Sequence, residues 1–501
     1  MSSIKRYAKY IISSPKLYRI YQTQQQYVPP ILETISDATI TYALPITILL
    51  TVYNRKLSYV QLSVLLYVAS RILRSLSRLT SPQYLEFLNH VDRASESATS
   101  ENINVLRNYD FEFKYFPVVH SATVSVQSYV DAQQRESGVL NMLSYAMAHT
   151  FGIRLIYPGL ILGGVFRSML EDARAKLVVE KHGKRVKIEA KSEHANVCID
   201  AMVFDNREHG GAGNYLVICC EGNAGEAFAQ LLLMLFMLLA HFQFLAGFYE
   251  IGMLGGALSE GYSVLGWNHP GFGGSTVRFS FNARLKIKAG VPYPTSELTG
   301  VLGVMDYATQ VLGFKESSII VYGWSIGGFP ATYLASRFPR LKGLILDATF
   351  DDILPLAVPR MPEFMTPLVI STIRNHVNLL NTANLENYTG PLRVIRRTED
   401  EIIADPPGVL NGNRGNGLLI DVVVKRAGNL APNDIAAVTE WVRQPHDTDA
   451  PAYDSLSGAN PPGSLEGKDR AIALASSILR DYKSTHCTPL PKEYYRLRQF
   501  Q

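Results

Sequence analysis

Residues 318–338 read SIIVYGWSIGGFPATYLASRF. The first seven form a short apolar run ending in a glycine turn, and the stretch from Phe329 carries apolar residues at helical spacing, so the segment predicts buried strand, tight turn and helix. The turn itself, Gly323-Trp324-Ser325-Ile326-Gly327, has the GxSxG spacing. A serine in such a turn presents its hydroxyl at the end of a strand, and Gly323 and Gly327 are required because side chains there would collide with the neighbouring strand and helix. GxSxG alone recurs by chance, and Ser325 could then be a helix N-cap. The strand before it and the helix after it favour a nucleophile.

Outward from this stretch, further apolar runs alternate with helical patterns: YLVICC (215–220), YSVLGW (262–267), LKGLILDA (341–348) and LRVIRR (392–397). Runs of this length, each followed by a turn and a helix, suit a mostly parallel sheet buried on both faces. Before them, LVVE, VKIEA and VCIDAMVFD between Leu177 and Asp205 predict antiparallel strands joining that sheet. The fold class is α/β, doubly wound.

A serine hydroxyl needs a histidine base oriented by a carboxylate, in the chain order Ser, acid, His for this strand–turn–helix setting. The segment RRTEDEII after the strand 392–397 offers Glu399, Asp400 and Glu401. Asp400 is the best placed, Glu399 and Glu401 reading as solvated charges; Asp347, ending the preceding strand, is the runner-up. Beyond Asp400 stand His446, in the loop-like QPHDTDAP, and His486, in STHCTPLP after the helical pattern DRAIALASSILRDY; His486 is preferred because the base belongs in a loop near the last helix. An oxyanion hole needs two backbone N–H groups. Ile326 supplies one, and Asn223, in the Gly-rich EGNAG after YLVICC, is the candidate for the other. His269, in NHPGFGGS (268–275), precedes the serine and reads as structural.

Composition narrows the classes. With 48 basic and 44 acidic residues the chain lacks the cationic excess of a nucleic-acid binder. Its four cysteines (Cys198, Cys219, Cys220, Cys487) show no CxxC or His/Cys ligand spacing, so no metal site is expected, and the glycine clusters lack the GK[ST] ending of a phosphate loop. The chemistry requires no cofactor.

The N-terminal region divides into a basic segment (1–37), a pair of apolar runs (38–74), a connector (75–175) and the catalytic region (176–501). ATITYALPITILLTVY (38–53) and LSYVQLSVLLYVASRIL (57–73) each fall slightly short of the roughly 20 residues that span a bilayer. Without acidic side chains, they read as a transmembrane hairpin rather than two core helices. Basic residues on both flanks (Lys5, Arg6, Lys9, Lys16, Arg19 and Arg71, Arg74, Arg78) place both in the cytosol. Val139 to Phe166, interrupted by His149, Arg154 and Pro158, predicts a helix lying on a membrane or against the catalytic region.

Taken together, LVICCEGNAG, GWNHPGFGGST, YGWSIGGFPA, RRTEDEII and THCTPLP, with the paired N-terminal apolar runs, resemble the α/β-hydrolase domain-containing 16 family. The resemblance covers most of the chain. It implies an α/β-hydrolase fold, a membrane lipase acting on phosphatidylserine and possibly monoacylglycerol, an endoplasmic-reticulum location with a cytosolic catalytic domain, and the triad Ser325, Asp400 and His486. Other functions compatible with the same residues are a depalmitoylating thioesterase and a non-catalytic membrane scaffold. One departure stands out: in the family pattern EGNAG continues into FYE, but here residues 226–247, EAFAQLLLMLFMLLAHFQFLAG, intervene before Phe248. A membrane span there would split one sheet across a bilayer. The insertion is therefore either an apolar lid beside the oxyanion loop or a translated intron.

Overall fold

The computed structural model describes residues 10, 14–21, 27–54, 57–127, 138–157, 167–222, 253–281, 285–289, 291–446 and 465–495. The chain divides into two compact units, Met1–Val119 and His120–Gln501.

In the first unit, strand β1 (Leu17–Ile20) pairs antiparallel with β2 (Tyr109–Phe111). Helix α1 (Ile31–Ala38) runs through a π turn (Thr39–Ala43) into α2 (Leu44–Asn54), and α3 (Leu57–Arg78) packs back along both. The pair is stitched by polar contacts: Arg78 Nε donates to Glu33 Oε1 at 2.7 Å, Arg74 Nη1 to Asp37 Oδ1 at 3.0 Å, and Ser63 Oγ to Thr47 Oγ1 at 2.9 Å. The Arg78–Glu33 pair is fully buried. Farther along, Ile46, Leu49, Tyr53, Val64, Leu65 and Val68 are exposed, the reverse of a soluble core. Among the described residues, one helical stretch, Ile31–Thr51, is long and apolar enough to cross a membrane. Helix α3, which packs back along it, is as long but carries Arg71, Arg74 and Arg78 in its last two turns.

The second unit is built on an 11-stranded sheet. Its strands are β3 (His120–Thr123), β4 (Lys184–Lys191), β5 (Asn196–Phe204), β6 (Leu216–Cys220), β7 (Ser263–Trp267), β8 (Thr276–Phe281), β9 (Leu285–Ala289), β10 (Ile319–Trp324), β11 (Gly343–Asp347), β12 (Leu392–Arg397) and β13 (Leu479–Tyr482). Nine run in the order β13-β12-β11-β10-β6-β7-β5-β4-β3, parallel from β13 to β7, with β5 antiparallel to β7 and to β4; β8 pairs antiparallel with the start of β5, and β9 with β8. This is the α/β-hydrolase architecture. The apolar runs predicted as strands are strands, and β6, β7 and β11 are buried at every position because both faces are covered. On one face Val217, Cys219, Ile320, Tyr322, Ile345 and Ile395 form a core with Leu254, Tyr494 and Tyr495. Helices α5 (Pro294–Asp306) and α6 (Gly328–Arg337) also pack on the sheet.

Two local readings are corrected. LVVE is not a strand: Leu177 to Val179 end a helix, Arg167–Val179, and antiparallel pairing begins at Lys184. The pattern DRAIALASSILRDY is not one helix either. Helix α7 (Gly467–Ile478) stops, and Leu479–Tyr482 extends as β13 beside β12. Its charged residues disguised it, but Asp481 is consumed by buried Arg396, whose Nε donates at 2.7 Å. Helix α4 proper, Val139–Met147, lies against the helix Thr366–His376, with Ser144 Oγ 3.3 Å from His376 Nε2, while Val139, Met142 and Leu143 remain exposed.

Candidate active site

After β6 the chain adds β7 on one side, then crosses to β10 on the other side of β6. Crevices at such topological switch points, at the carboxyl ends of parallel strands, are where α/β sheets hold ligands. Ser325 leaves β10 there.

Ser325 has φ +54°, a left-handed conformation that costs a non-glycine residue about 1–3 kcal/mol and persists only when its surroundings impose it. They do so by close packing. A Cβ on Gly323 would lie 2.6 Å from Ala331 Cβ, and one on Gly327 2.0 Å from the Cys220 carbonyl oxygen, so the elbow closes onto its helix and onto β6 only with glycine at both positions. Thr349 Oγ1 then donates to the Ser325 carbonyl at 2.6 Å. Ile326 is buried in the single 3₁₀ turn, Ser325–Gly327, that opens α6.

Asp400 follows β12 and is 1% exposed; His486 follows β13 and is 2% exposed. His486 Nδ1 donates to Asp400 Oδ2 at 2.8 Å, while Asp400 Oδ1 accepts from the N–H groups of Ile402 and Ile403 at 2.9 and 2.8 Å. Both carboxylate oxygens are therefore committed. Burial opposes charge on Asp400, but His486 and those hydrogen bonds outweigh it and hold the carboxyl below its usual range. Burial likewise opposes charge on His486, and Asp400 outweighs it, raising the imidazole above its ordinary value. A histidine whose Nδ1–H is held by a buried carboxylate keeps Nε2 as the basic nitrogen.

The other candidates have different occupations. Asp347, 0% exposed at the end of β11, binds Arg397 through two parallel bonds of 2.8 and 2.7 Å and accepts from Tyr322 Oη at 2.8 Å. Arg397 in turn donates to Ser484 Oγ and the Thr488 carbonyl, clamping the loop that carries His486. His446 lies apart, stacked on Trp441 and donating to that residue's carbonyl at 2.8 Å. Glu399 is exposed, but Glu401 is not simply a solvated charge: its Oε2 accepts from the His486 backbone N–H at 3.0 Å. Trp324, unremarked in the sequence, donates from Nε1 to the His486 carbonyl at 3.3 Å, with the two rings 5.8 Å apart. Asn223 and the insertion 226–247 lie outside the described residues. Among the described residues, no group of three or more His, Cys, Asp or Glu side chains is placed to hold a metal ion.

A strained serine at a switch point, on a sheet whose next strands deliver a buried carboxylate–histidine pair, defines the class: an α/β-fold hydrolase. Residues 6–112 match the phosphatidylserine lipase ABHD16 N-terminal domain, and residues 215–438 match the alpha/beta hydrolase fold. The chain is 34% identical to phosphatidylserine lipase ABHD16A of Homo sapiens over 86% of its own length and 81% of that protein's. It is 33% identical to the Mus musculus protein of that name, with the same coverage. An uncharacterized Caenorhabditis elegans protein is 32% identical over 97% of both chains. The chain belongs to the ABHD16 family of hydrolases.

Proposed function

We propose that this protein is a membrane-bound serine lipase that cleaves an acyl ester of phosphatidylserine, and also of monoacylglycerol, giving a fatty acid and a lysophospholipid or glycerol. The observation that carries the chemistry is the His486–Asp400 bond of 2.8 Å, on a histidine that meets Trp324, the residue before strained Ser325. In this reading His486 Nε2 takes the Ser325 hydroxyl proton as Oγ attacks the ester carbonyl, and returns it to the leaving alcohol. Asp400 fixes the tautomer and stabilises the imidazolium. The N–H of Ile326, with that of Asn223, receives the developing oxyanion. Water then releases the acyl group from Ser325 by the same steps in reverse.

The head group rests on the ABHD16A relatives, which are named phosphatidylserine lipases. Membrane attachment is supported by the exposed apolar faces of α2 and α3 and by the span Ile31–Thr51. Endoplasmic-reticulum residence with both flanks in the cytosol is part of the same reading, and the basic residues on both sides of the apolar pair support the orientation. The insertion 226–247 stays either a lid or a translated intron, and its recovery in peptides of the native protein decides between them.

The test presents liposomes of single defined lipids to the purified protein and to Ser325→Ala. Lysophosphatidylserine formed only by the wild type is the expected result. Ser325-dependent release of palmitate from acylated protein, with no lysolipid from any liposome, would replace this reading with a thioesterase; no turnover with either would leave the scaffold.

A further inference from the structure

Behind the elbow lies a second buried histidine–carboxylate pair that the hydrolytic steps do not use. His269, in the turn after β7, is 1% exposed, and Glu297, in the first turn of α5, is 0%. His269 Nδ1 bonds Glu297 Oε1, and Nε2 lies 2.7 Å from the Glu221 carbonyl oxygen. The rings of Tyr157, Trp267 and Phe272 surround the imidazole at centroid distances of 5.9, 5.3 and 5.9 Å. A carboxylate and a carbonyl both accept, so a ring serving both carries a proton on each nitrogen. Burial disfavours that cation, but the Glu297 carboxylate outweighs it and raises the imidazole above its ordinary range.

What His269 grips is the backbone on which the active site rests. Glu221 and Gly222 leave β6. A Cβ on Gly327 would fall 2.5 Å from the Glu221 carbonyl oxygen, so the elbow lies directly on the gripped peptide. A Cβ on Gly222 would fall 2.9 Å from the indole of Trp324, the residue that donates to the His486 carbonyl. One contiguous path therefore runs from Glu297 through His269 and the Glu221–Gly222 turn to both Ser325 and His486.

We propose that His269, anchored by Glu297, is a positioning residue for hydrolysis, holding the Glu221 carbonyl so that the elbow and Trp324 seat Ser325 and His486 in register. The proposal rests on Ser325 and His486 being nucleophile and base. It separates fixing the site from performing the chemistry: substrate binding is untouched, and the geometry of attack is not. A displacement of about 1 Å among reacting groups costs on the order of 100-fold in rate.

The experiment uses the full chain in liposomes, with the fraction of competent Ser325 counted by a fluorophosphonate probe and turnover expressed per labelled serine. His269→Leu and Glu297→Leu should each lower kcat by roughly 10-fold to 100-fold at near-constant KM. Glu297→Gln should recover most of that loss, because an amide N–H can hold Nδ1 of a neutral ring and leave Nε2–H on Glu221. Wild-type kcat per labelled serine in His269→Leu, a loss confined to KM, or no recovery by Glu297→Gln would overturn the proposal. If His269→Leu does not fold, the two Glu297 variants carry the same comparison. Absence of probe labelling in the wild type would instead overturn the nucleophile assignment itself.

Discussion

Asp347 ends β11 and Asp400 follows its parallel neighbour β12, and both are buried to within 1%. Their fates differ because of what each finds opposite. Asp347 meets the fork of Arg397 and the hydroxyl of Tyr322, and every strong contact it makes is inside the sheet. Asp400 stands one turn beyond its strand, spends one oxygen on two backbone N–H groups and offers the other to His486. The first carboxylate holds structure together and the second orients a base, although both sit at positions where a catalytic acid can occur. Position along a strand end does not assign the role; the partner does.

The largest effect that can test this contrast is on rate. Asp400→Asn should leave Ile402 and Ile403 bonded but favour the wrong histidine tautomer, lowering kcat by about 10⁴-fold with the protein folded. Ser325→Ala should lose at least as much, and both are read by lipid release from defined liposomes. If Asp347→Asn lost more activity per folded molecule than Asp400→Asn, the two assignments would have to be exchanged.

The next effect is on stability. Removing Asp347 leaves Arg397 buried and uncompensated, so Asp347→Ala should cost about 3–5 kcal/mol, measured by denaturant unfolding of detergent-solubilised protein. Its turnover per folded molecule should fall far less than that of Asp400→Asn. Some fall is expected, since the same guanidinium clamps Ser484 and Thr488 around His486.

A smaller and more specific signature lies in pH. His486 must be neutral to accept the serine proton, and its value is raised, so activity should fall with decreasing pH through a limb whose midpoint lies above about 6.5. Asn at position 400 should move the limb of the residual activity to lower pH. For stability the signs are separate. The lowered Asp400 contributes fully above about pH 4 and loses its contribution as pH falls. The raised His486 contributes fully below about pH 6.5 and loses its contribution as pH rises. The pair therefore stabilises most between those limits, and a stability-against-pH curve that falls neither below about pH 4 nor above about pH 6.5, or one that is unchanged in Asp400→Asn, would contradict the coupling.

The smallest effect belongs to His446. Its ring is stacked on Trp441 with Nε2–H given to that residue's carbonyl, and its backbone N–H donates to Asp481 Oδ2 of β13 at 2.8 Å, so none of these bonds engages Ser325, Asp400 or His486. His446→Ala should cost about 1 kcal/mol or less of stability and leave turnover near that of the wild type.

The sequence by itself determined the sheet and the elbow. Continuous apolar runs such as LVICC and GLILD can be stable only when buried on both faces, and GWSIGG places glycine where the packing leaves no room for a Cβ. These are local constraints, written in adjacent residues. β13 was hidden because LRDY is charged in sequence and becomes a buried strand only when Arg396, on the neighbouring strand, neutralises Asp481. Glu401 looked like a surface charge until the loop after β13 brought the His486 N–H to it, across 85 residues of chain. The Asp347–Arg397 clamp and the His269–Glu297 grip on Glu221 likewise join residues 50 and 28 apart. Polar partnerships of this kind have no period in sequence: whether a buried charge is tolerable, and what it then does, depends on the group that the tertiary fold sets against it.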